Sequence, residues 1–206
     1  MILLINYGIG NIRSVANALE SLGARTKISE RPEDLRDADR IVLPGVGAFA
    51  EAMRRLEAVG FPDALREEVL EKGKPYLGLC LGMQLLAERG YEHGEHRGLG
   101  WIGGEVRRIE PNDPKLRIPH IGWNSVAPTR KDSILFKGMK GDPSFYFVHS
   151  YSFRPSDSAV ASGVTDHGCD VVATVEQGHV FGTQFHPEKS QKAGLALLRN
   201  FLEFKC

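Results

Sequence analysis

The sequence predicts an α/β protein with an open, mixed but mainly parallel sheet, helices on both faces and a nucleophile elbow. Three observations predict it. Short apolar runs alternate with helical patterns through the first half of the 206 residues, which is the order of a parallel sheet. From about Trp101, short alternating stretches separated by Gly and Pro take over, as in antiparallel strands. A Gly-x-Cys-x-Gly segment follows an apolar run at residues 78–82, which is the elbow spacing.

The first half is predicted to contain four short strands and two helices. Residues 2–6 form a continuous apolar run, typical of a strand covered on both faces. Further strands are predicted at 24–28, 40–43 and 75–79. A helix follows the loop at 7–11, with apolar residues at helical spacing and Gly23 as its stop. A second helix is predicted over 49–70, broken near Gly60 and Pro62.

The second half is predicted to be richer in antiparallel strands. Residues 105–109 and 144–148 are strand candidates, and strands at 170–176 and 179–185 flank Gln177-Gly178, a hairpin signal. An amphipathic helix over 190–204 closes the chain. Because no Pro/Ser-rich or charge-rich linker divides the sequence, we expect one domain over residues 1–206.

Composition excludes several classes of function. Lys plus Arg and Asp plus Glu number 26 each, so no bulk charge indicates nucleic acid or an acidic membrane. The apolar N-terminus is short and lacks the features of a signal peptide, and no run approaches the length of a membrane span. Three cysteines without regular spacing (Cys80, Cys169 and Cys206) indicate a reducing, cytoplasmic setting and no disulfide framework.

Cys80 is the candidate nucleophile. An elbow places its thiol at the start of the following helix, where unpaired N–H groups and the helix dipole favour the reactive thiolate. The N–H of Leu81 is placed to stabilise an oxyanion. The alternative is a buried, inert cysteine between two leucines, since cysteine is among the most buried residue types.

His186 and Glu188 are the candidate partners of this thiol. The proline after His186 favours extended backbone, and residues two apart in an extended chain point the same way. Glu188 can therefore orient the imidazole, which takes a proton from Cys80 and returns it to a leaving amine. The alternative is a surface His-Pro-Glu turn. Chemistry alone thus favours a cysteine hydrolase or an acyl-transfer enzyme.

Other motifs carry weaker signals. The loop Pro44-Gly45-Val46-Gly47 follows a predicted strand and offers a second oxyanion donor, although glycine loops are usually plain turns. Gly8-Ile9-Gly10 lacks the third glycine of a dinucleotide fingerprint. His93 and His96 lie in a polar loop without further ligands at convincing spacing, so the loop is expected to be solvated. We expect no metal and no cofactor.

Seven stretches together resemble the triad (class I) glutamine amidotransferases, and within them the branch that forms the glutaminase subunit of imidazole glycerol phosphate synthase. The resemblance covers essentially the whole chain. The stretches are NYGIGN (6–11), PGVGAF (44–49), GLCLGMQLL (78–86), GLGWIGG (98–104), PHIGWN (119–124), YFVHSY (146–151) and GTQFHPEKS (182–190).

The resemblance implies roles for named residues. It implies Cys80 as nucleophile, His186 as acid and base, and Glu188 as the orienting carboxylate. Oxyanion and substrate contacts are implied at Gly45, Val46, Gly47, Leu81, Gln84, Ser150 and Tyr151. A partner interface is implied at Asn11, Trp123, Tyr146 and Lys189.

The resemblance also implies a reaction and a partner. The chain would hydrolyse L-glutamine to glutamate and ammonia through a Cys80 thioester. As half of a heterodimer it would pass the ammonia to a barrel-shaped cyclase subunit, which makes imidazole glycerol phosphate and aminoimidazole carboxamide ribonucleotide in histidine biosynthesis. Three alternatives stay open: a glutaminase subunit of an anthranilate or aminodeoxychorismate synthase, a catalytically silent regulatory subunit, and a stand-alone cysteine hydrolase.

Overall fold

The first half of the chain alternates strands and helices, as the hydrophobic pattern predicted. A computed structural model describes residues 1–205. The elements in order are β1 (Ile2–Ile5), α1 (Ile12–Ser21), β2 (Thr26–Ser29), β3 (Arg40–Gly45), α2 (Phe49–Val59), α3 (Phe61–Leu65), β4 (Tyr76–Cys80) and α4 (Leu81–Gln84). A 3₁₀ turn at Pro32–Asp37 and a π turn at Arg66–Glu71 complete this half.

The second half is dominated by strands. In order they are β5 (Arg89–Gly90), β6 (His96–Arg97), β7 (Gly104–Arg108), β8 (His120–Ser125), β9 (Ala127–Pro128), β10 (Ser144–His149), β11 (Tyr151–Pro155), β12 (Ala161–Asp166), β13 (Asp170–Gln177) and β14 (Val180–Thr183). Two 3₁₀ turns lie at Ser158–Val160 and Pro187–Lys189, and α5 (Gln191–Glu203) follows.

The central sheet is open and mixed. Within residues 1–205 it has eight strands in the order β2-β1-β3-β4-β14-β13-β12-β9. The strands from β2 to β14 run parallel to their neighbours, and the β14–β13, β13–β12 and β12–β9 pairs are antiparallel. This confirms the predicted fold class. It also brings the carboxyl ends of β3, β4 and β14 to one edge, where the elbow lies.

Helices cover both faces because alternate strand residues point to opposite sides. Leu3 and Ile5 of β1 pack in the same cluster as the apolar residues of α2 and α3. Ile2 and Leu4 pack in a second cluster with α1 and α5. All four side chains are buried, so β1 is apolar without alternation, as expected for a strand covered on both faces.

Some predicted elements differ in extent from the structure. The strand predicted at 40–43 continues through Pro44 and Gly45, which pair with Leu79 and Cys80. The helix predicted over 49–70 is broken at Gly60 as expected, because Gly60 adopts φ 84° and ends α2, but its last part, after α3, is a π turn. The helix after Cys80 is a single turn, from Leu81 to Gln84.

Two small sheets flank the central one. β8 and β10 form an antiparallel pair, and β11, β7, β5 and β6 form a four-stranded sheet. The hairpin predicted around Gln177-Gly178 is present as β13 and β14, with Gly178 at φ 59°. The β8–β10 pair and the loops around β5 and β6 lie beside the elbow and supply the rest of the site.

Candidate active site

Cys80 stands at the end of β4 in a strained backbone conformation. Its φ of 53° and ψ of −108° lie where residues other than glycine are rare. The residue is buried, with 6% of its surface exposed, and α4 begins at the next residue. A strained turn here is what the glycine spacing predicted for an elbow. The helix dipole that was expected to favour the Cys80 thiolate is weak, because α4 is one turn long and few peptide dipoles align in it.

Gly78 and Gly82 allow the elbow to close. A Cβ atom on Gly78 would lie 2.4 Å from the carbonyl oxygen of Gly82, and one on Gly82 would lie 1.9 Å from the carbonyl oxygen of Leu43. Both obstacles are backbone atoms, which cannot rotate aside as a side chain could. The two glycines are therefore required by close backbone approach between β3, β4 and α4.

Gly82→Ala is expected to destabilise the protein by about 3 kcal/mol or more, the upper range for overpacking a filled interior. The added methyl group must displace β3 or α4. Urea unfolding would measure the change. Gly103→Ala is the matched control, because its new Cβ would meet no atom closer than 3.8 Å. Equal stability of the two variants would contradict the steric explanation.

His186 and Glu188 form a buried ion pair. The imidazole Nδ1 lies 2.9 Å from the Glu188 carboxylate, and the two side chains are 6% and 2% exposed. His186 has extended backbone, with φ −99° and ψ 96°, but Pro187–Lys189 is a 3₁₀ turn. The predicted pairing is present, whereas the predicted reason is wrong: a tight turn, and not alternation along a strand, brings the carboxylate behind the imidazole.

The charged form of His186 is favoured. Burial acts to lower its pKa, but the Cys80 thiol and the Glu188 carboxylate outweigh burial and raise that pKa to about 9. Thr183, at the end of β14, pairs with Leu79 of β4, so the chain brings His186 to the sheet edge at which Cys80 stands. The Nε2 atom of His186 nevertheless has no hydrogen-bond partner among the described residues. With Nδ1 held by Glu188, Nε2 is the ring nitrogen that remains for proton transfer.

Gln184 also reaches the thiol, although it was not among the predicted site residues. It is fully buried, and its Nε2 lies 3.7 Å from the Cys80 sulfur as a donor. Its Oε1 accepts a hydrogen bond of 3.0 Å from Gln84, which also donates to the Tyr151 carbonyl at 2.9 Å. Its place two residues before His186 was the available signal. The Gln84 amide donates to protein groups here, so its contact with substrate stays a prediction.

A cavity of about 460 Å³ opens in front of Cys80. It is lined by Val46, Gly47, Ala48, Cys80, Leu81, Gln84, Glu92, Val148, His149, Ser150 and Tyr151. Most of the predicted oxyanion and substrate residues therefore line one space. A groove of about 700 Å³ between Pro128 and Met139 is larger but contains none of the candidate catalytic residues, so the cavity at Cys80 is the candidate site.

The predicted oxyanion loop lies against the elbow. Gly45 pairs with Cys80 across the β3–β4 ladder, Val46 is 39% exposed, and Gly47 has a φ of 92°. The Tyr7 hydroxyl is buried beside Gly45 without a hydrogen-bond partner among the described residues, 2.5 Å from where a Cβ on Gly45 would lie. Burial, then the nearby Cys80, raise the pKa of Tyr7, so this phenol stays protonated.

Glu92 corrects the expectation that the loop around His93 is only solvated. Its carboxylate lines the cavity and accepts a 2.8 Å hydrogen bond from the backbone N–H of Phe49, at the start of α2. No histidine of this loop lines the cavity. Across the described residues there is no group of three or more His, Cys, Asp or Glu side chains that could hold a metal ion.

Three of the four predicted partner-facing residues form one surface. Trp123 of β8 is 50% exposed and lies opposite Tyr146 of β10, with ring centroids 6.2 Å apart. The Lys189 ammonium lies 5.8 Å from the Tyr146 ring centroid. Ile121, 60% exposed, points to the same side of β8 as Trp123. Asn11 is also exposed, before α1.

Of the other two cysteines, only Cys169 lies within the described residues. Cys169 is a half-buried free thiol with no role in this cavity, and Cys206 falls outside the described residues. No helix within residues 1–205 is long and apolar enough to cross a membrane.

The chain is similar to known proteins over nearly its whole length. Residues 3–204 match the family model described as glutamine amidotransferase class-I. It is 48% identical to "Imidazole glycerol phosphate synthase subunit HisH" of Zymomonas mobilis, covering 98% of this chain and 94% of that one. It is 50% identical to "Imidazole glycerol phosphate synthase subunit HisH 1" of Campylobacter jejuni, covering 98% and 99%.

Solved structures share the fold at lower identity. One described as "Crystal structure of glutamine amidotransferase" has a TM-score of 0.76 at 23% identity, covering 98% of both chains. "Structure of PurLQS from Thermotoga maritima" has a TM-score of 0.76 at 20% identity, covering 98% of this chain and 96% of that one.

Proposed function

The chain belongs to the class-I glutamine amidotransferase family, and we propose that it is the glutaminase subunit of an imidazole glycerol phosphate synthase. The observation that carries this proposal is the match, over nearly full length and at 48–50% identity, to relatives named as that subunit. We further propose that residues 1–206 form one amidotransferase domain that works in the cytoplasm.

The proposed chemistry is acyl transfer in two halves. The Cys80 thiolate, whose proton His186 holds, attacks the side-chain carboxamide carbon of glutamine, and the carbonyl oxygen becomes an oxyanion. Backbone N–H groups of Leu81 and of the loop 45–47 stabilise it. His186 gives its proton to the departing nitrogen as the C–N bond breaks, so ammonia leaves and a γ-glutamyl thioester remains. Water then attacks the thioester while His186 accepts its proton, the C–S bond breaks, and glutamate is released.

The pKa of His186 fits this sequence of proton transfers. An imidazole whose pKa is raised to about 9 is charged at neutral pH and therefore carries the proton that the leaving nitrogen needs. Glu188 stabilises that charge and fixes the ring through Nδ1, which leaves Nε2 as the nitrogen for proton transfer.

The cavity suits the other end of glutamine. Glutamine carries an α-ammonium group, which a carboxylate can bind. Among the described residues that line the cavity, Glu92 has the one carboxylate side chain. Ser150 and Tyr151, which also line the cavity, offer backbone groups. We propose that Glu92 binds the α-ammonium while the 150–151 backbone binds the α-carboxylate.

Glu92→Gln is expected to raise the KM for glutamine by about 10- to 100-fold, because a hydrogen bond to a charged group contributes about 1.5–3 kcal/mol. The side-chain amide oxygen introduced at position 92 can still accept the hydrogen bond from the Phe49 N–H, so the loop is expected to keep its place. Initial rates of glutamate release at varied glutamine would measure the change. Glu95→Gln, on the same loop and paired with Arg89 outside the cavity, is the control; equal KM values would contradict the proposed ammonium site.

The apolar surface beside the site is the proposed contact with the cyclase. Ile121, Trp123, Tyr146 and Lys189 lie on the β8–β10 side of the molecule, and β10 leads directly into the cavity wall at His149 and Ser150. Exposed aromatic and aliphatic groups rimmed by a cation are typical of a protein interface. We propose a heterodimer with a barrel-shaped cyclase that receives the ammonia.

Glutamate release by the purified chain, alone and with the cyclase subunit and its nucleotide ligand, tests the assignment. A large increase on adding both supports a partner-dependent glutaminase of this synthase. Full activity alone, with no effect of the cyclase, would leave the chemistry and remove the assigned pathway. A response to an anthranilate or aminodeoxychorismate synthase instead would move the chain to those subunits. No glutamate under any condition would favour a silent regulatory subunit.

A further inference from the structure

A chain of hydrogen bonds runs from strand β8 to the wall of the cavity. The Asn124 amide nitrogen lies 3.2 Å from His120 Nε2, and His120 Nδ1 lies 3.0 Å from His149 Nε2. His149 Nδ1 lies 2.8 Å from the backbone oxygen of Tyr151. Both imidazoles are buried, with 3% and 7% of their residues exposed. None of these three side chains has a part in the proposed chemistry.

The partners at the two ends fix the direction of every bond. A carbonyl oxygen can only accept, so His149 Nδ1 carries the hydrogen, and the Nε2 of a neutral His149 must accept from His120 Nδ1. His120 Nε2 then accepts from Asn124. The Asn124 amide is oriented independently, because its nitrogen also donates to the Asp166 carbonyl at 2.8 Å and its oxygen accepts from the Ser125 N–H at 2.9 Å.

Both histidines are neutral in this arrangement. Burial and the neighbouring imidazoles lower the pKa of His120 to about 3. Burial also lowers the pKa of His149 to about 4, against the opposing effect of the Tyr151 carbonyl. Each neutral ring offers one donor and one acceptor, and both are used. His120 is further held between the Phe147 ring at 4.6 Å and the His167 ring at 4.1 Å, so neither ring is free to turn.

The chain of hydrogen bonds ends on the segment proposed to hold the substrate. The Tyr151 carbonyl accepts both from His149 and from the Gln84 amide, at 2.9 Å. The preceding carbonyl, of Ser150, accepts from the Ile109 N–H at 2.9 Å. Two successive carbonyls are thus fixed, and the peptide groups that face the cavity cannot rotate without breaking these bonds.

We propose that Asn124, His120 and His149 are positioning residues, which hold the Ser150–Tyr151 backbone in the orientation that binds glutamine. The inference rests on the proposed function, since it names the substrate of that site. A purely space-filling pair of core histidines would need neither fixed tautomers nor a fixed Asn124 amide. Because Asn124 is the neighbour of the exposed Trp123, this chain of hydrogen bonds also begins at the proposed partner surface.

The histidine tautomers can be observed without any assay of activity. Two-dimensional ¹H–¹⁵N NMR of the imidazole nitrogens, at pH 7 on the full chain, distinguishes Nδ1–H, Nε2–H and charged rings. His120 and His149 are both expected as neutral Nδ1–H tautomers. An Nε2–H tautomer or a charged ring at either position would overturn the proposal.

Steady-state kinetics then test whether Asn124, His120 and His149 position the substrate. Asn124→Asp replaces the donor with an acceptor, so a neutral His120 must reverse its tautomer and donate from Nε2. Its Nδ1 then accepts from His149 Nε2, and a neutral His149 has no hydrogen left on Nδ1 to donate to the Tyr151 carbonyl. The KM for glutamine, measured with the cyclase subunit, is expected to rise about tenfold, the factor to which about 1.4 kcal/mol corresponds, with kcat changed much less. The exposed Asn112→Asp is the control. Equal KM values for the two variants would overturn the proposal.

A second pair of variants separates positioning from packing. His149→Asn keeps a donor near the position of Nδ1, whereas His149→Leu fills the space without one. The asparagine variant is expected to keep a KM closer to that of the wild type than the leucine variant, and the reverse order would contradict a positioning role. If His120 and His149 have the predicted tautomers but the protein does not hydrolyse glutamine, only the proposed function is overturned. If the protein is active but either tautomer is wrong, only this inference is overturned.

Discussion

Cys80→Ala is expected to abolish glutamine hydrolysis while leaving the cyclase of the complex able to use free ammonia. Loss of the attacking atom in a catalytic triad costs on the order of 10⁶ in rate, so the residual activity should fall to background. The substitution removes one buried sulfur from a position with strained backbone, and alanine keeps the Cβ. The fold and the partner surface should therefore persist. Glutamate release and ammonia-dependent product formation by the complex are the two measurements.

Cys169→Ala is the matched control, because Cys169 is also a free thiol but lies outside the cavity. Both activities should be retained in that variant. Glutamine-dependent synthesis that survives in Cys80→Ala would remove Cys80 as nucleophile. Loss of the ammonia-dependent reaction as well would mean that the substitution damages the complex, and thermal unfolding of the variant would then separate misfolding from lost docking.

The elbow could be predicted because its determinants are local. Gly78, Cys80 and Gly82 lie within five positions, and the need for glycine follows from backbone clashes inside that segment and with β3. His186 and Glu188 are also close in sequence, so their pairing could be expected even though the tight turn that pairs them was not. The approach of His186 to the Cys80 edge was not predictable in this way, because it depends on the parallel pairing of β4 and β14.

The rest of the site depends on contacts that no short pattern contains. Gln184 reaches the thiol from more than a hundred residues away along the chain, and Glu92 enters the cavity because its carboxylate caps α2. The His120–His149 pair forms only when β8 and β10 align in register. Polar residues of this kind resemble ordinary loop or strand residues until tertiary packing places them.

Glu188→Gln is expected to lower kcat/KM for glutamine by about 10²- to 10⁴-fold, the range for general acid–base catalysis and for the loss of a triad carboxylate. The amide can still accept from His186 Nδ1 through its oxygen, so the ring can keep its orientation, but the negative charge is gone. The pKa of His186, raised to about 9 with Glu188 present, should therefore fall. NMR titration of the imidazole would measure the pKa, and Glu57→Gln on the exposed side of α2 is the control.

The free energy of unfolding of Glu188→Gln is also expected to depend on pH differently from that of the wild type. A folded-state pKa of about 9 lies above the ordinary value of 6.5. The charged His186 therefore stabilises the folded protein fully below pH 6.5, and this contribution is lost as pH rises through 9. The difference corresponds to about 3 kcal/mol, at about 1.4 kcal/mol per pH unit. Urea unfolding at pH 6.5 and 9.5 should show that Glu188→Gln loses less stability across this interval than the wild type. An equal loss would show that Glu188 does not sustain the charge on His186, because the carboxylate could then be removed without changing the proton affinity of the ring.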